Sequence, residues 1–462
     1  MFNKSLLATL RLHSSPITCI ENFYIPSSLT YINEDDSKSI IFNPTVITAD
    51  ESGLIIWWNL ITCRPFGVWK AHNDSVLTVK QLGIKWTQNS EESDFTSPTT
   101  YDSYGQLLTH SKDGSVKIWK LLDVTSKENL EFTYTGLLKK KVTTEDEMKS
   151  VTPPKLFEMP VNTLNFANID INIENFLITS STIDSDGFDI YQIDLNMRRE
   201  HEKLKRVVHD YKLSTSDSEV KITEIEDDQI SPMDFTRRCG LGVIMKIKWL
   251  DTNTFIIGYE SGQIVVYEFA KDEGDFKVKN IFSDASLIGN AITALTFDAM
   301  NKKILFGSTG SEVAIMNLDD HQVKTFCTKH KGINDIDTDS SKNTVSLITW
   351  DGYTRIYNYD ENDVLKFVMK MRRQVPTIST SQEAVDEQNN GIVESSNMQR
   401  QRANVLKFTE KQLDPSTNKN IEVEYSNGRS KNIIRRNREK IFSSRYLFVG
   451  YQDGKVAVYT IQ

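Results

Sequence analysis

LLTHSKDGSVKIWK, Leu107 to Lys120, is a pair of short apolar stretches hinged on Lys112-Asp113-Gly114. Asp-Gly signals a tight turn, because glycine accepts the positive φ that a two-residue hairpin turn requires. Beyond the turn, Val116 and Ile118 alternate with Ser115 and Lys117, the period of a half-buried strand, and Trp119 ends the run. Leu107-Leu108-Thr109 opens a strand of similar length before it. The phrase predicts one β-hairpin. A lone hairpin is only marginally stable in water, so it needs neighbours.

Phrases close to it return along the chain. They are VITADESGLIIWWNL (46–60), FLITSSTIDSDGFDIYQI (176–193), FIIGYESGQIVVYEF (255–269), ILFGSTGSEVAIMNL (304–318), VSLITWDGYTRIYNY (345–359) and YLFVGYQDGKVAVYTI (446–461). The turn glycines are Gly53, Gly114, Gly187, Gly262, Gly352 and Gly454, with Ser311 after Gly310 in the fifth copy. The closing aromatic is Trp58, Trp119, Tyr191, Tyr267, Tyr357 or Tyr459, with Met316 in the fifth.

A short strand precedes each hairpin: HSSPITCIENF (13–23), HNDSVLTVKQL (72–82), PVNTLNFANI (160–169), GVIMKIKWL (242–250), NAITALTFD (290–298), HKGINDIDTD (330–339) and ANVLKFTEK (403–411). Another follows most of them, as in PFGVWK (65–70), FKVKNIF (276–282) and QVKTFC (322–327). Four strands per unit and seven units define an all-β, seven-bladed β-propeller of the WD-repeat kind, which manages exposed edges by radial repetition. A β-sandwich would not need the same turn-plus-aromatic phrase each time. The first blade already has four strands from Pro16 to Lys70, while the last has three. The spare segment SLLATLRL (5–12) is therefore expected to pair beside Lys455 to Ile461 and close the ring.

The whole of 1–462 reads as this single propeller, with polar insertions near 32–43, 87–104, 127–154, 196–238, 379–402 and 412–440. Such segments bury little apolar surface and read as mobile loops, with a short helix an alternative for Glu200 to Tyr211. A net charge of −9 argues against a general or direct sequence-specific nucleic-acid-binding surface. Cys19, Cys63, Cys239 and Cys327 show no CxxC spacing and read as buried small hydrophobes of a reducing compartment, not disulfides or zinc ligands. The first apolar run, Ser5 to Leu10, is too short for a secretory signal, and no run approaches the ~20 residues that span a bilayer. These features lead us to expect a soluble intracellular protein with no membrane partner.

His, Ser/Thr and Asp recur at matching places, so a catalytic triad has to be weighed. The sets are His72, Ser111, Asp113 and Trp119 in the second blade, and His330, Thr349, Asp351 and Tyr357 in the sixth. The same grouping at two equivalent places points to scaffold, since a nucleophilic site needs one optimised copy beside a pocket. Both sets resemble the WD-repeat structural tetrad, in which a loop His, a strand Ser/Thr, a turn Asp and a strand Trp bond within one blade; Tyr357 departs from it. A buried imidazole and carboxylate require such partners. No phosphate loop, HExxH or calcium-loop pattern is present, so no cofactor, metal or small-molecule substrate is expected. The run RSKNIIRRNREK (429–440) and Met371-Arg372-Arg373 offer basic contacts for an acidic partner, phosphates or import machinery, or are solvated loops.

ADESGLIIWWNLITCRPFGVWKAHNDSVL (49–77), with Arg64-Pro65 and Trp69-Lys70-Ala71-His72, resembles the first-blade signature of fungal ASTRA-associated WD-repeat proteins. KHKGINDI (329–336), TWDGYTRIYNY (349–359), MKMRRQVPT (369–377) and the terminal LFVGYQDGKVAVYTIQ are similar to the family's late blades. The resemblance covers both ends well and the insert-rich middle poorly. It implies a non-catalytic subunit of the nuclear ASTRA assembly, with some cytoplasmic presence also open. Its partners would be protein subunits linked to chromatin remodelling and to maturation of phosphatidylinositol-3-kinase-related kinases. A cytosolic G-protein-β-like or other WD-repeat scaffold is the alternative.

Overall fold

Each hairpin phrase supplies the two middle strands of one four-stranded antiparallel sheet in the computed structural model. The structure describes residues 4–32, 38–60, 62–86, 96–98, 105–126, 131–134, 152–162, 167–181, 185–197, 199, 202–213, 241–270, 275–319, 322–360, 362–376, 398–409, 421–423 and 445–461. From the channel outward, blade one is Ile17–Ile32, Lys38–Asp50, Leu54–Asn59 and Arg64–Lys70. Blade two is Val76–Gln81, Gln106–Ser111, Ser115–Lys120 and Lys155–Pro160. Blade three is Asp170–Ile171, Phe176–Ser180, Phe188–Ile193 and Leu204–Tyr211. Blade four is Ile244–Trp249, Thr254–Tyr259, Ile264–Ala270 and Asp275–Phe282. Blade five is Ile292–Asp298, Lys303–Ser308, Glu312–Asn317 and Val323–Cys327. Blade six is Ile333–Asp339, Thr344–Thr349, Thr354–Tyr359 and Leu365–Met371. Ala403–Phe408, Arg445–Tyr451 and Val456–Ile461 begin blade seven.

Its fourth strand is Lys4–Leu10, paired with the last strand from Lys4 opposite Ile461 to Leu10 opposite Val456. The ring thus closes between its first and last strands, with a register shift between Leu6 and Ala8. This is the closure the spare segment called for.

Three expectations need correction. The cysteines are not all buried: Cys19 and Cys63 are half-buried and Cys327 is exposed. In blade three the described part of the inner strand is Asp170–Ile171, directly after PVNTLNFANI, of which residues 163–166 lie outside the described residues, and Lys155–Pro160 before it completes blade two. From Leu204 on, the segment Glu200 to Tyr211 is strand and not helix. Leu204–Tyr211 is the exposed outer strand of blade three, where Val207 and Val208 suit a sheet edge better than a helix. Nor are the insertions loop throughout. Lys38–Asp50 continues the first blade's hairpin through 38–43, and Ile421–Val423 pairs with Leu29 to Tyr31 beside it. Thr96–Pro98, Glu131–Tyr134 and Met398–Gln401 likewise pair with Ile84–Trp86, Leu122–Ser126 and Arg373–Pro376. The backbone of these polar segments finds its hydrogen bonds by extending existing turns into ribbons.

The second strand of a blade is buried on both faces, as in Gln106–Ser111 and Thr344–Thr349, because neighbouring blades cover each side. Outer strands such as Lys155–Pro160 alternate exposed and buried. The apolar core is accordingly divided into clusters that each join two neighbours. One holds Phe23, Trp57, Trp69 and Trp119 between blades one and two; another holds Leu10, Ile17, Trp58 and Phe448 across the closure. Close approach fixes one small residue. A Cβ on Gly307 would fall 2.6 Å from Ile333, the residue that opens the next blade's inner strand. Gly258 faces Ile292 and Gly450 faces Ile17 in the same way.

Inner strands have one edge without a sheet neighbour, and polar side chains of adjacent blades serve it. Asp335 accepts the Leu406 N–H at 2.7 Å and Asp337 that of Phe408 at 2.8 Å. Asp170 accepts from Trp249 N–H at 2.7 Å, and Asn168 exchanges two bonds with Ile247. Gln81 does the same with Tyr24. These clasps surround a polar channel of about 600 Å³.

Candidate functional site

In blade two, His72, Asp113 and Trp119 meet, but through Thr109 rather than Ser111. The Trp119 indole N–H donates to Thr109 Oγ1 at 3.0 Å, Thr109 lies 2.7 Å from His72 Nε2, and His72 Nδ1 lies 3.0 Å from Asp113. A neutral imidazole protonated on Nδ1 satisfies all three bonds, with the Thr109 hydroxyl donating to Nε2. Burial pulls the His72 pKa down to about 4, against the opposing attraction of Asp113. Ser111 is the correction. It lies on the same strand face two residues nearer the turn, too far along to meet the indole. Its hydroxyl instead donates to the Asp74 carbonyl at 2.9 Å and accepts the Asp113 N–H.

Blade one carries an equivalent network absent from the sequence-based set. His13 Nδ1 lies 2.7 Å from Asp50, its Nε2 2.7 Å from Thr48, and the Trp58 indole donates to Thr48 at 2.8 Å. Asp50 stands three residues before the turn glycine, where blade two has Ser111; Ser52 takes the position of Asp113. A shift of two residues keeps a strand side chain on the same face, so the carboxylate still reaches the imidazole. That period was the available signal. Asp50 also accepts from Ser52 and the Leu54 N–H.

Blade six lacks the network. The residue equivalent to Thr109 is Leu347, which is buried and offers no hydroxyl. His330 is consequently not buried: its side chain is 43% exposed and 3.6 Å from Asp351. Arg355 takes over, donating to Asp351 at 2.6 Å and also to Thr349, whose hydroxyl bonds Asp351 at 2.5 Å. Tyr357 packs edge-on against Phe326 and Phe367. In blades four and seven a third arrangement serves, with hydroxyls of Tyr259 and Tyr267 2.9 Å apart and those of Tyr451 and Tyr459 3.2 Å apart.

The depressed His72 pKa makes a signed prediction. Between about 4 and the ordinary 6.5 the unfolded chain binds a proton that folded His72 refuses, so stability rises with pH through that window and is lost as pH falls. Asp335, pushed up to about 7 chiefly by burial, contributes the opposite slope. It is common to wild type and variant, so it cancels in their difference. We expect His72→Gln to abolish about 2–3 kcal/mol of stability change between pH 6.5 and 4. Urea denaturation of both proteins across that range checks it; parallel curves would refute the assignment.

Ser115 lies 3.2 Å from His72 and 2.7 Å from Asp113, so blade two superficially holds a Ser–His–Asp set. Yet Thr109 occupies the other ring nitrogen, and neither the channel nor the cleft between blades six and seven is lined by His72, Thr109 or Ser115. Among the described residues no group of three or more His, Cys, Asp or Glu could hold a metal ion, and no helix is long and apolar enough to cross a membrane. The channel is polar, with Lys80 bound to Asp170 at 2.5 Å and to the Ile171 carbonyl at 2.6 Å. The basic run 429–440 lies outside the described residues. Arg373 pairs with Asp453 and so ties blade six to blade seven, while Arg372 stands over the Tyr353 ring.

A closed seven-bladed propeller whose buried polar groups bind its own turns and loops belongs to the class of rigid platforms that present loop and rim surfaces. More particularly, the chain belongs to the ASTRA-associated protein 1 family, whose model matches residues 6–459. It is 31% identical to ASTRA-associated protein 1 of Komagataella phaffii, covering 98% of this chain and 96% of that protein. The namesakes from Debaryomyces hansenii and Meyerozyma guilliermondii are 25% and 27% identical, each over 98% of this chain and over 99% and 98% of their own lengths.

Proposed function

We propose that this chain is a non-catalytic scaffold subunit of a nuclear ASTRA assembly, acting with proteins of chromatin remodelling and of phosphatidylinositol-3-kinase-related kinase maturation. The observation that carries the reading is the family match along almost the whole chain, with relatives named for association with ASTRA. The ring supports it physically. Its polar clusters are closed off by their own blades, which leaves turns and rim for partners held in fixed relative positions.

Affinity purification of the tagged protein from nuclear and cytosolic fractions tests the proposal. Remodelling-ATPase and kinase-maturation subunits should co-purify, predominantly from the nuclear fraction. Recovery of signalling or trafficking proteins from the cytosol in their place would overturn it in favour of a general scaffold.

A further inference from the structure

The turn face of blade six carries side chains that neither ring closure nor the buried networks use. Trp350 is 51% exposed, yet it is held in place. Its backbone N–H donates to the Gly332 carbonyl at 2.9 Å, and its indole lies where a Cβ on residue 332 would come within 2.0 Å of the ring. Gly332 also has a φ of +72°, so glycine alone fits under this tryptophan. Beside it a cleft of about 330 Å³ opens between blades six and seven, walled by Trp350, Asn334, Arg402, Asn404 and Gln452.

The charges around this cleft are unbalanced. Asp351 and Asp453 are already engaged by Arg355 and Arg373. Lys331 adjoins Gly332, Arg402 lines the cleft, and Lys370 and Arg372 stand 5.4 and 4.9 Å from the Tyr353 ring centre. None of these four cations forms an ion pair among the described residues, and Arg372 Nε is buried there without an acceptor. On a chain of net charge −9 these cations gather about one turn, residues 350–353, which also carries the exposed Trp350. A Trp packed in place, with Arg side chains beside a pocket, is the composition of a binding hot spot, because the aromatic has little entropy left to lose on docking.

We propose that this face binds a short acidic segment of a partner protein. Its carboxylates would lie on Lys331, Arg372 and Arg402, with one large apolar side chain stacked on the exposed face of Trp350 at the mouth of the cleft. The proposal rests on the scaffold reading but not on membership of any one assembly. A nucleic acid fits less well: the cations surround one cleft instead of forming a stripe, and the remaining acidic surface would repel a long polyanion.

Fluorescence anisotropy with short labelled peptides tests it, each peptide carrying Asp and Glu around one Leu, Phe or Trp, with Asn/Gln counterparts as controls. Acidic members should bind, weaken with added salt, and lose at least about tenfold in affinity with Trp350→Ala or the Arg372→Glu/Arg402→Glu pair. Lys205→Glu on the outer strand of blade three should change nothing. The proposal is overturned if no acidic peptide exceeds its Asn/Gln control, if variants with unchanged melting temperatures bind like wild type, or if single-stranded DNA competes more strongly than any peptide. Failure of ASTRA subunits to co-purify with wild type would instead strike the assembly assignment, and leaves these titrations to decide the surface.

Discussion

Removing residues 1–12 is expected to abolish soluble, monodisperse protein, an effect far beyond that of trimming an ordinary terminus. Lys4–Leu10 is the outer strand of blade seven, and Leu10 is buried in the cluster that joins the last blade to the first. Without it, the Val456–Ile461 edge is left open to pair with another chain, and Ile17 and Trp58 lose part of their cover. Deleting an equal length from 381–392, outside the described residues, should be tolerated. Soluble yield and size-exclusion profiles of the two deletions decide the matter. An N-terminal deletion that stays monomeric with the parent melting temperature would show that the strand does not close the ring.

The second large effect is at His13. His13→Ala should cost about 2–3 kcal/mol, because it takes one hydrogen-bond donor from the fully buried Asp50 carboxylate and leaves Thr48 with an empty side. The site is also on the closure seam: Lys455 donates to the His13 carbonyl at 3.3 Å, and a Cβ on Gly454 would meet that same carbonyl at 2.5 Å. His330→Ala, by contrast, should stay within about 0.5 kcal/mol, since that ring is exposed and Arg355 holds the turn. Chemical denaturation of the two variants makes the comparison. Equal losses would mean that the blade-one network is no more structural than the exposed pair.

The fold was legible because its signal is periodic. Turn glycine, alternating strand and closing aromatic recur often enough that one defective copy, at Ser311 and Met316, does not hide the rest. Closure was legible for a different reason, the arithmetic of one spare strand and one vacancy. The networks were only partly legible. Thr109 and Ser111 share a strand face, and only the depth of the Trp119 indole selects between them. Asp50 escaped notice because a carboxylate moved by two residues looks misplaced in a sequence frame and is not misplaced in a pleated strand. The blade-six set failed through a residue that resembles nothing functional, Leu347, which withholds the hydroxyl on which a buried His330 would depend. Polar insertions gave no periodicity at all, so ribbons such as Ile421–Val423 against Leu29 to Tyr31 could not be foreseen from composition.

Pairing Leu10 with Val456 also sets a clock on synthesis. The closing strand leaves the ribosome roughly 450 residues before the edge it needs. At about 5–20 residues per second, the nascent chain carries that strand unpaired for roughly 20–90 s. For that interval the emerging blades form an open arc whose leading end carries the unpaired strand beside the uncovered side chains of Ile17 and Trp58. Translation speed, and any chaperone able to shield an edge for a minute or so, therefore bear on the yield of this protein more than on that of a domain whose contacts are local.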